Sequence, residues 1–332
     1  MRRVLSVFLL VCLVISTAGC GAGGQTSTGK FSVGMVTDVG GLNDQSFNQS
    51  AWAGVNKLKK DLNADIKALE SKREQDYIPN LTRFAREGRS VAWAIGYKLD
   101  KALLDVSGQF PNQTFGIIDT NLGGKVPKNV VAITFKDHEG AFIMGALAGL
   151  KTKTNKVGFL GGVTSTLVTR FEAGYKAGVK AVNPNAEVLT AYAESFGDAT
   201  RGRSLSKNMF NSGADIIFQA AGGTGKGLFD EVKTREAGKY WAIGVDMDQS
   251  FLAPKHTLSS MLKRVDNAVY NISKQVKENK APMGKHVEFG FKENGVGYPE
   301  STKNFVDEDV IKKLEDYKQQ IISGKIKVPS SL

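Results

Sequence analysis

Cysteine is almost absent from these 332 residues, and the two present, Cys12 and Cys20, both precede the folded part. Positions 21–332 carry no thiol. A disulfide, a thiolate nucleophile and a cysteine metal site are thereby excluded there. Histidine is nearly as scarce: His138, His256 and His286 fall on separate predicted elements with no acid or nucleophile in a recognisable relation. The HExxH, GxSxG and paired-cysteine spacings do not occur either. No catalytic residue, metal ligand set or cofactor is therefore assigned. The longest apolar run, 4–15, falls short of the roughly 20 residues that a membrane helix needs.

That run belongs to the N-terminus. Arg2 and Arg3, the run itself and the small residues Ser16, Thr17, Ala18 and Gly19 form the pattern of an export signal. Small residues directly before Cys20 resemble the lipobox of bacterial lipoproteins, which implies removal of 1–19 and lipidation of Cys20 as the new N-terminus. Residues 20–29, rich in glycine, read as a flexible tether. The expected location is outside the cytoplasm, lipid-anchored to a bacterial membrane. Without Arg2 and Arg3 the formal charge of +11 falls by two. The lysines are scattered over predicted helix faces, with no basic arm and no aromatic interleaving, so nucleic acid is not an expected partner. An anchored domain beside anionic lipid gains from positive charge.

The length suits two domains. Residues 34–55 (GMVTDVGGLNDQSFNQSAWAGV) read as a strand, a glycine turn at Gly40 and Gly41, and a helix that Asn43, Asp44 or Ser46 can cap. Strands and helices then alternate along the chain, and the pattern restarts at 156–162 with a second strand and glycine turn. The expected fold is α/β, two doubly wound lobes with a ligand cleft between them. In that division 30–137 with 247–290 make one lobe and 138–246 with 291–332 the other. Ligands of such sheets bind at the carboxyl ends of strands.

The unusual residues fall there. Asp38, Asp119 and Asp246 each end a predicted strand, where aspartate serves a metal or acid/base site or, just as often, caps a helix. Phe47 and Phe196 each follow a strand in polar surroundings, one per lobe. They are either two rings facing a flat ligand across a cleft or two pieces of local core. The run Gly222-Gly223-Thr224-Gly225-Lys226-Gly227 invites a phosphate-loop reading, yet the spacing of glycines, lysine and hydroxyl fails the pattern. A loop offering backbone donors to a neutral ligand fits better.

The segments TDVGGLNDQSFNQSAW, GGVTSTLVTRFEAGYKAG, AAGGTGKGLF, IGVDMDQ and SSMLKRVDNAVY, in this order, closely resemble the BMP family of substrate-binding lipoproteins. That resemblance implies a type I periplasmic-binding architecture, a monomer, and capture of a purine nucleoside for an ABC permease and its ATPase. It implies that Phe47 and Phe196 stack on the base and that Asp119 accepts from its edge. Asp246 and Lys263 would hold the ribose hydroxyls, with Asp38, Asn43, Asp44 and Asn48 and the backbone at Gly222 and Gly223 completing the shell. Two other readings compete. One is a surface receptor that reports another small ligand, a sugar or a signal, to a sensor; the other is a nucleoside hydrolase built on Asp38, Asp119 and a metal.

Overall fold

The computed structural model describes residues 29–332. The expected export signal, Cys20 and all but the last residue of the tether lie outside the described residues.

In chain order the elements are β1 (Ser32–Val36), α1 (Phe47–Leu62), β2 (Asp65–Leu69), α2 (Tyr77–Arg86), β3 (Val91–Ala94), α3 (Asp100–Gln109), β4 (Phe115–Ile118) and β5 (Val130–Phe135). Next come α4 (Asp137–Lys151), β6 (Lys156–Gly161), α5 (Thr166–Val182), β7 (Glu187–Tyr192), α6 (Ala199–Asn211), β8 (Ile216–Ala220), α7 (Lys226–Val232) and β9 (Trp241–Asp246). The chain ends with β10 (Thr257–Lys263), α8 (Val265–Lys277), β11 (Lys285–Phe289), β12 (Val296–Gly297) and α9 (Glu308–Ile322).

These build two sheets. The first runs β2-β1-β3-β4-β5-β11 and is parallel throughout. The second runs β7-β6-β8-β9-β10-β12, parallel except for the antiparallel pair β10 and β12. Central strands such as β3, β4 and β8 are buried along their whole length, because helices cover both faces of each sheet. The doubly wound α/β architecture is as expected.

One boundary differs. Residues 247–290 were expected in the first lobe, but β10 pairs in parallel with β9 in the second sheet, and only α8 and β11 return to the first. An apolar strand pattern does not encode which sheet the strand joins. The chain thus crosses between lobes after β5, after β10 and after β11. The three crossovers are tied together: Lys136 N donates to Phe289 O at 2.9 Å, Arg264 N to Gly295 O at 2.9 Å, and Gly295 N to Gly290 O at 2.8 Å.

Helix α4 is buried on nearly every side, as expected of its small apolar residues. Its axis can approach α5 closely because Gly145 and Gly178 face the partner helix. A Cβ at either would lie 2.0 Å from a carbonyl oxygen, that of Tyr175 or of Phe142.

Candidate ligand-binding site

The turn after β1 carries the first half of the site. Asp38 Oδ1 accepts from Gly40 N at 2.9 Å and from Asn48 Nδ2 at 2.8 Å. Asp44 caps α1, taking the N–H groups of Ser46, Asn48 and Gln49 at 2.9, 2.8 and 3.1 Å. These are donors that the first turn of a helix cannot satisfy itself. Of the three candidate caps, Asp44 does this, helped by Gln45 in a left-handed conformation at φ 57°. Asn48 Nδ2 also reaches Asp44 at 3.2 Å, so both carboxylates hold its amide in one orientation. Its Oδ1 is buried without a partner.

Asp119 and Asp246 stand at equivalent places in the two sheets, just beyond β4 and at the end of β9. Both adopt left-handed backbone, φ 70° and 68°, which turns the chain off the sheet and into the cleft. Lys263, at the end of β10, is only 2 % exposed. Its Nζ lies 2.7 Å from Asp119 and 3.2 Å from Asp137. The rings of Phe47, Phe135 and Phe171 surround it with centroids 5.3, 5.3 and 5.5 Å away. Ser46 Oγ donates to Asp246 across the lobes.

Burial shifts these groups. It raises Asp38 against the hydrogen bonds from Asn48 and Gly40, Asp44 to about 6 and Asp246 to about 7, where Lys263 and Ser46 oppose it. Burial would lower the ammonium of Lys263, but Asp119, Asp137 and Asp246 outweigh it and the net shift is upward. The lysine is therefore charged at every physiological pH.

Between the lobes these groups line one narrow slot, with a cavity volume of about 60 Å³. Asp38, Asp44, Phe47, Asn48, Asp119, Phe196, Gly222, Asp246 and Lys263 all face it. Asn43 does not: it is exposed on the turn, outside the slot. Gly223 lies behind the wall, where a Cβ would sit 3.1 Å from Phe196 O and 3.7 Å from Asp44 Cβ, so its smallness lets the lobes meet. The glycine-rich loop serves chiefly to place Phe196. Thr224 N donates to Phe196 O at 3.1 Å and Thr224 Oγ1 to Ser195 O at 2.9 Å. The Phe196 ring itself rests on Gly162, where a Cβ would come within 2.3 Å of it.

Sequence reasoning missed Tyr97, Leu167, Val168 and Phe171, which also line it. The signal was available for the last three. They open α5 after the glycine turn of the second sheet, as Phe47 and Asn48 open α1 in the first. Among the described residues no group of histidine, cysteine, aspartate or glutamate side chains is arranged to hold a metal ion. The histidines are dispersed: His256 meets Tyr240 O at 3.2 Å and His286 meets Thr134 at 2.7 Å.

A family model described as "ABC transporter substrate-binding protein PnrA-like" matches residues 31–331. The chain belongs to this family. Substrate-binding proteins of ABC transporters are thus its class, and the resemblance read from the five motifs is correct. Among its relatives, the CD4+ T-cell-stimulating antigen of Listeria monocytogenes is 43% identical over 321 residues, covering 91% of this chain and 89% of the relative. A Lactococcus lactis protein named ABC transporter nucleoside-binding protein BmpA is 36% identical over 354 residues, covering 99% of each chain. In fold, the chain is similar to an ABC transporter solute-binding protein from Aeropyrum pernix. That likeness has a TM-score of 0.82 at 27% identity and covers 90% of this chain and 94% of the other. A sugar-binding protein of a Bacillus halodurans ABC transporter, at TM-score 0.63 and 12% identity, shares the fold alone. No helix among the described residues is long and apolar enough to cross a membrane.

Proposed function

We propose that this family member captures a purine nucleoside outside the cytoplasm, tethered by a lipid on Cys20, and delivers it as a monomer to an ABC permease and its ATPase. The observation that carries this reading is the slot itself, with one aromatic ring from each lobe, Phe47 and Phe196, and a floor of buried carboxylates around a single ammonium. Two rings favour a flat, uncharged ligand, and stacking on one contributes about 1–3 kcal/mol where bases have been probed.

The polar groups then select. Asp119 and the fixed Asn48 Oδ1 offer acceptors to the donor edge of a base. Guanine presents two adjacent donors there, inosine and adenine fewer. Asp246 and Lys263 take the ribose hydroxyls. Asp38, Asp44, Asp119, Asp137 and Asp246 together oppose a phosphate, because one lysine does not neutralise them and a buried unpaired anion is costly. No bond is made or broken in this account.

The relative named as nucleoside-binding supports the same ligand class. The test is mass spectrometry of whatever ligand the purified protein releases on denaturation, followed by calorimetric titration with guanosine, inosine and adenosine. Micromolar or tighter binding of a nucleoside is expected. A ligand of another class, with no nucleoside binding, would overturn the reading.

A further inference from the structure

Asp137 belongs to none of the motifs, does not line the slot and is fully buried. It opens α4 one residue past the crossover at Lys136. Neither of its carboxylate oxygens makes a hydrogen bond, an arrangement that leaves a buried charge dependent on its ion pairs. Its near partner is Lys263, 3.2 Å away. Arg170 of α5 acts on it favourably from farther off and Asp119 unfavourably.

The two partners of Lys263 differ in place. Asp119 follows β4 in the first sheet, whereas Asp137 begins a helix that packs on β10, the strand of Lys263 itself. Lys263 and Asp137 thus belong to one lobe and Asp119 to the other. Asp246, on β9 of the same lobe, also bears on the ammonium but forms no ion pair with it within 4.0 Å. In this form the ammonium is shared: both Asp119 oxygens lie 2.7 Å from Nζ, and Asp137 Oδ1 lies 3.2 Å from it.

We propose that Asp137 is a positioning residue for ligand capture: it draws the Lys263 ammonium toward its own lobe and so weakens the lysine's hold on Asp119, whose carboxylate can then accept from the ligand. This rests on the reading of Asp119 as an acceptor for the base. Without Asp137 the lysine has one ion-pair partner left, across the cleft, and it competes with the ligand for that carboxylate.

Guanosine titrations of the mature protein and of Asp137→Asn, Lys263→Met and the double variant test this as a cycle. Asp137→Asn is expected to weaken binding by roughly tenfold, and to weaken the Lys263→Met protein by no more than about twofold, since the effect passes through the lysine. Losses that add in full, or an Asp137→Asn protein that binds like wild type, overturn the proposal. Should Asp137→Asn alone fail to fold, Asp137→Glu, which keeps the charge but moves it off its place beside Lys263, takes its position in the same cycle. Wild-type protein that binds no guanosine would instead sink the nucleoside reading.

Discussion

Gln249 of the second lobe donates its side-chain amide to the backbone carbonyl of Gln45 in the first, at 2.8 Å. Its own oxygen is fixed by Gln219 Nε2 and Val245 N, both at 2.9 Å. This bond and the one from Ser46 to Asp246 join the lobes beside the slot. They describe a closed form whose stability includes direct protein contacts as well as those through a ligand.

Removing one such contact shifts that balance. Ser46→Ala deletes the hydroxyl and leaves the helix cap to Asp44. A hydrogen bond to a charged group contributes about 1.5–3 kcal/mol, so nucleoside affinity is expected to fall by at least tenfold. Small-angle scattering of the ligand-free variant is expected to show a larger radius of gyration than wild type. An unchanged radius and an unchanged affinity would argue against closure through this contact.

Phe47→Ala and Phe196→Ala each remove one ring. Each is expected to cost about 1–3 kcal/mol of binding and little fold stability, because both rings are only partly buried. Thermal melting without ligand separates the two effects. A large drop in melting temperature with unchanged affinity would return the rings to a purely core role.

Acid should stabilise the empty protein and weaken binding. For Asp44 and Asp246 the folded-state pKa, about 6 and about 7, lies above the ordinary 3.8. Their contribution to stability is complete below pH 3.8 and is lost as pH rises through 6 and 7, since the unfolded chain ionises first. Binding has the opposite sign if Asp246 accepts a ribose hydroxyl as a carboxylate, so affinity should fall between pH 8 and pH 5. Asp246→Asn is expected to flatten the binding trend and to reduce the stability trend to the part that Asp44 contributes. Calorimetry across that range, with wild type and variant side by side, reads them directly.

Packing of α4 on α5 gives a prediction about the scaffold alone. Gly145→Val places a branched side chain where a single Cβ already lies 2.0 Å from Tyr175 O. Overpacking of this kind costs about 1–3 kcal/mol or more. Chemical denaturation is expected to show a lower midpoint, and an unchanged midpoint would mean that the helices can part freely.

Much of this was legible in the sequence because burial writes itself there. Apolar runs between glycine turns marked β1, β6 and their helices, and the end of a parallel strand is where polar residues become functional. What stayed hidden depends on long-range geometry. Asn43, Asp44 and Ser46 are equally able caps, and only the left-handed turn at Gln45 selects Asp44 and turns Asn43 out to solvent. Asp137 reads as an ordinary acid in the first turn of a helix, since its closeness to Lys263 spans 126 positions of chain. The pairing of β10 with β9 likewise has no local mark.

The central claim is that the slot takes an uncharged nucleoside between two rings and rejects the phosphorylated form. Calorimetric titration of one preparation with guanosine and with guanosine monophosphate tests it most directly. Guanosine is expected to bind at least a hundredfold more tightly, because the carboxylates at Asp38, Asp44, Asp119 and Asp246 repel the phosphate. Equal affinities for the two would contradict the account.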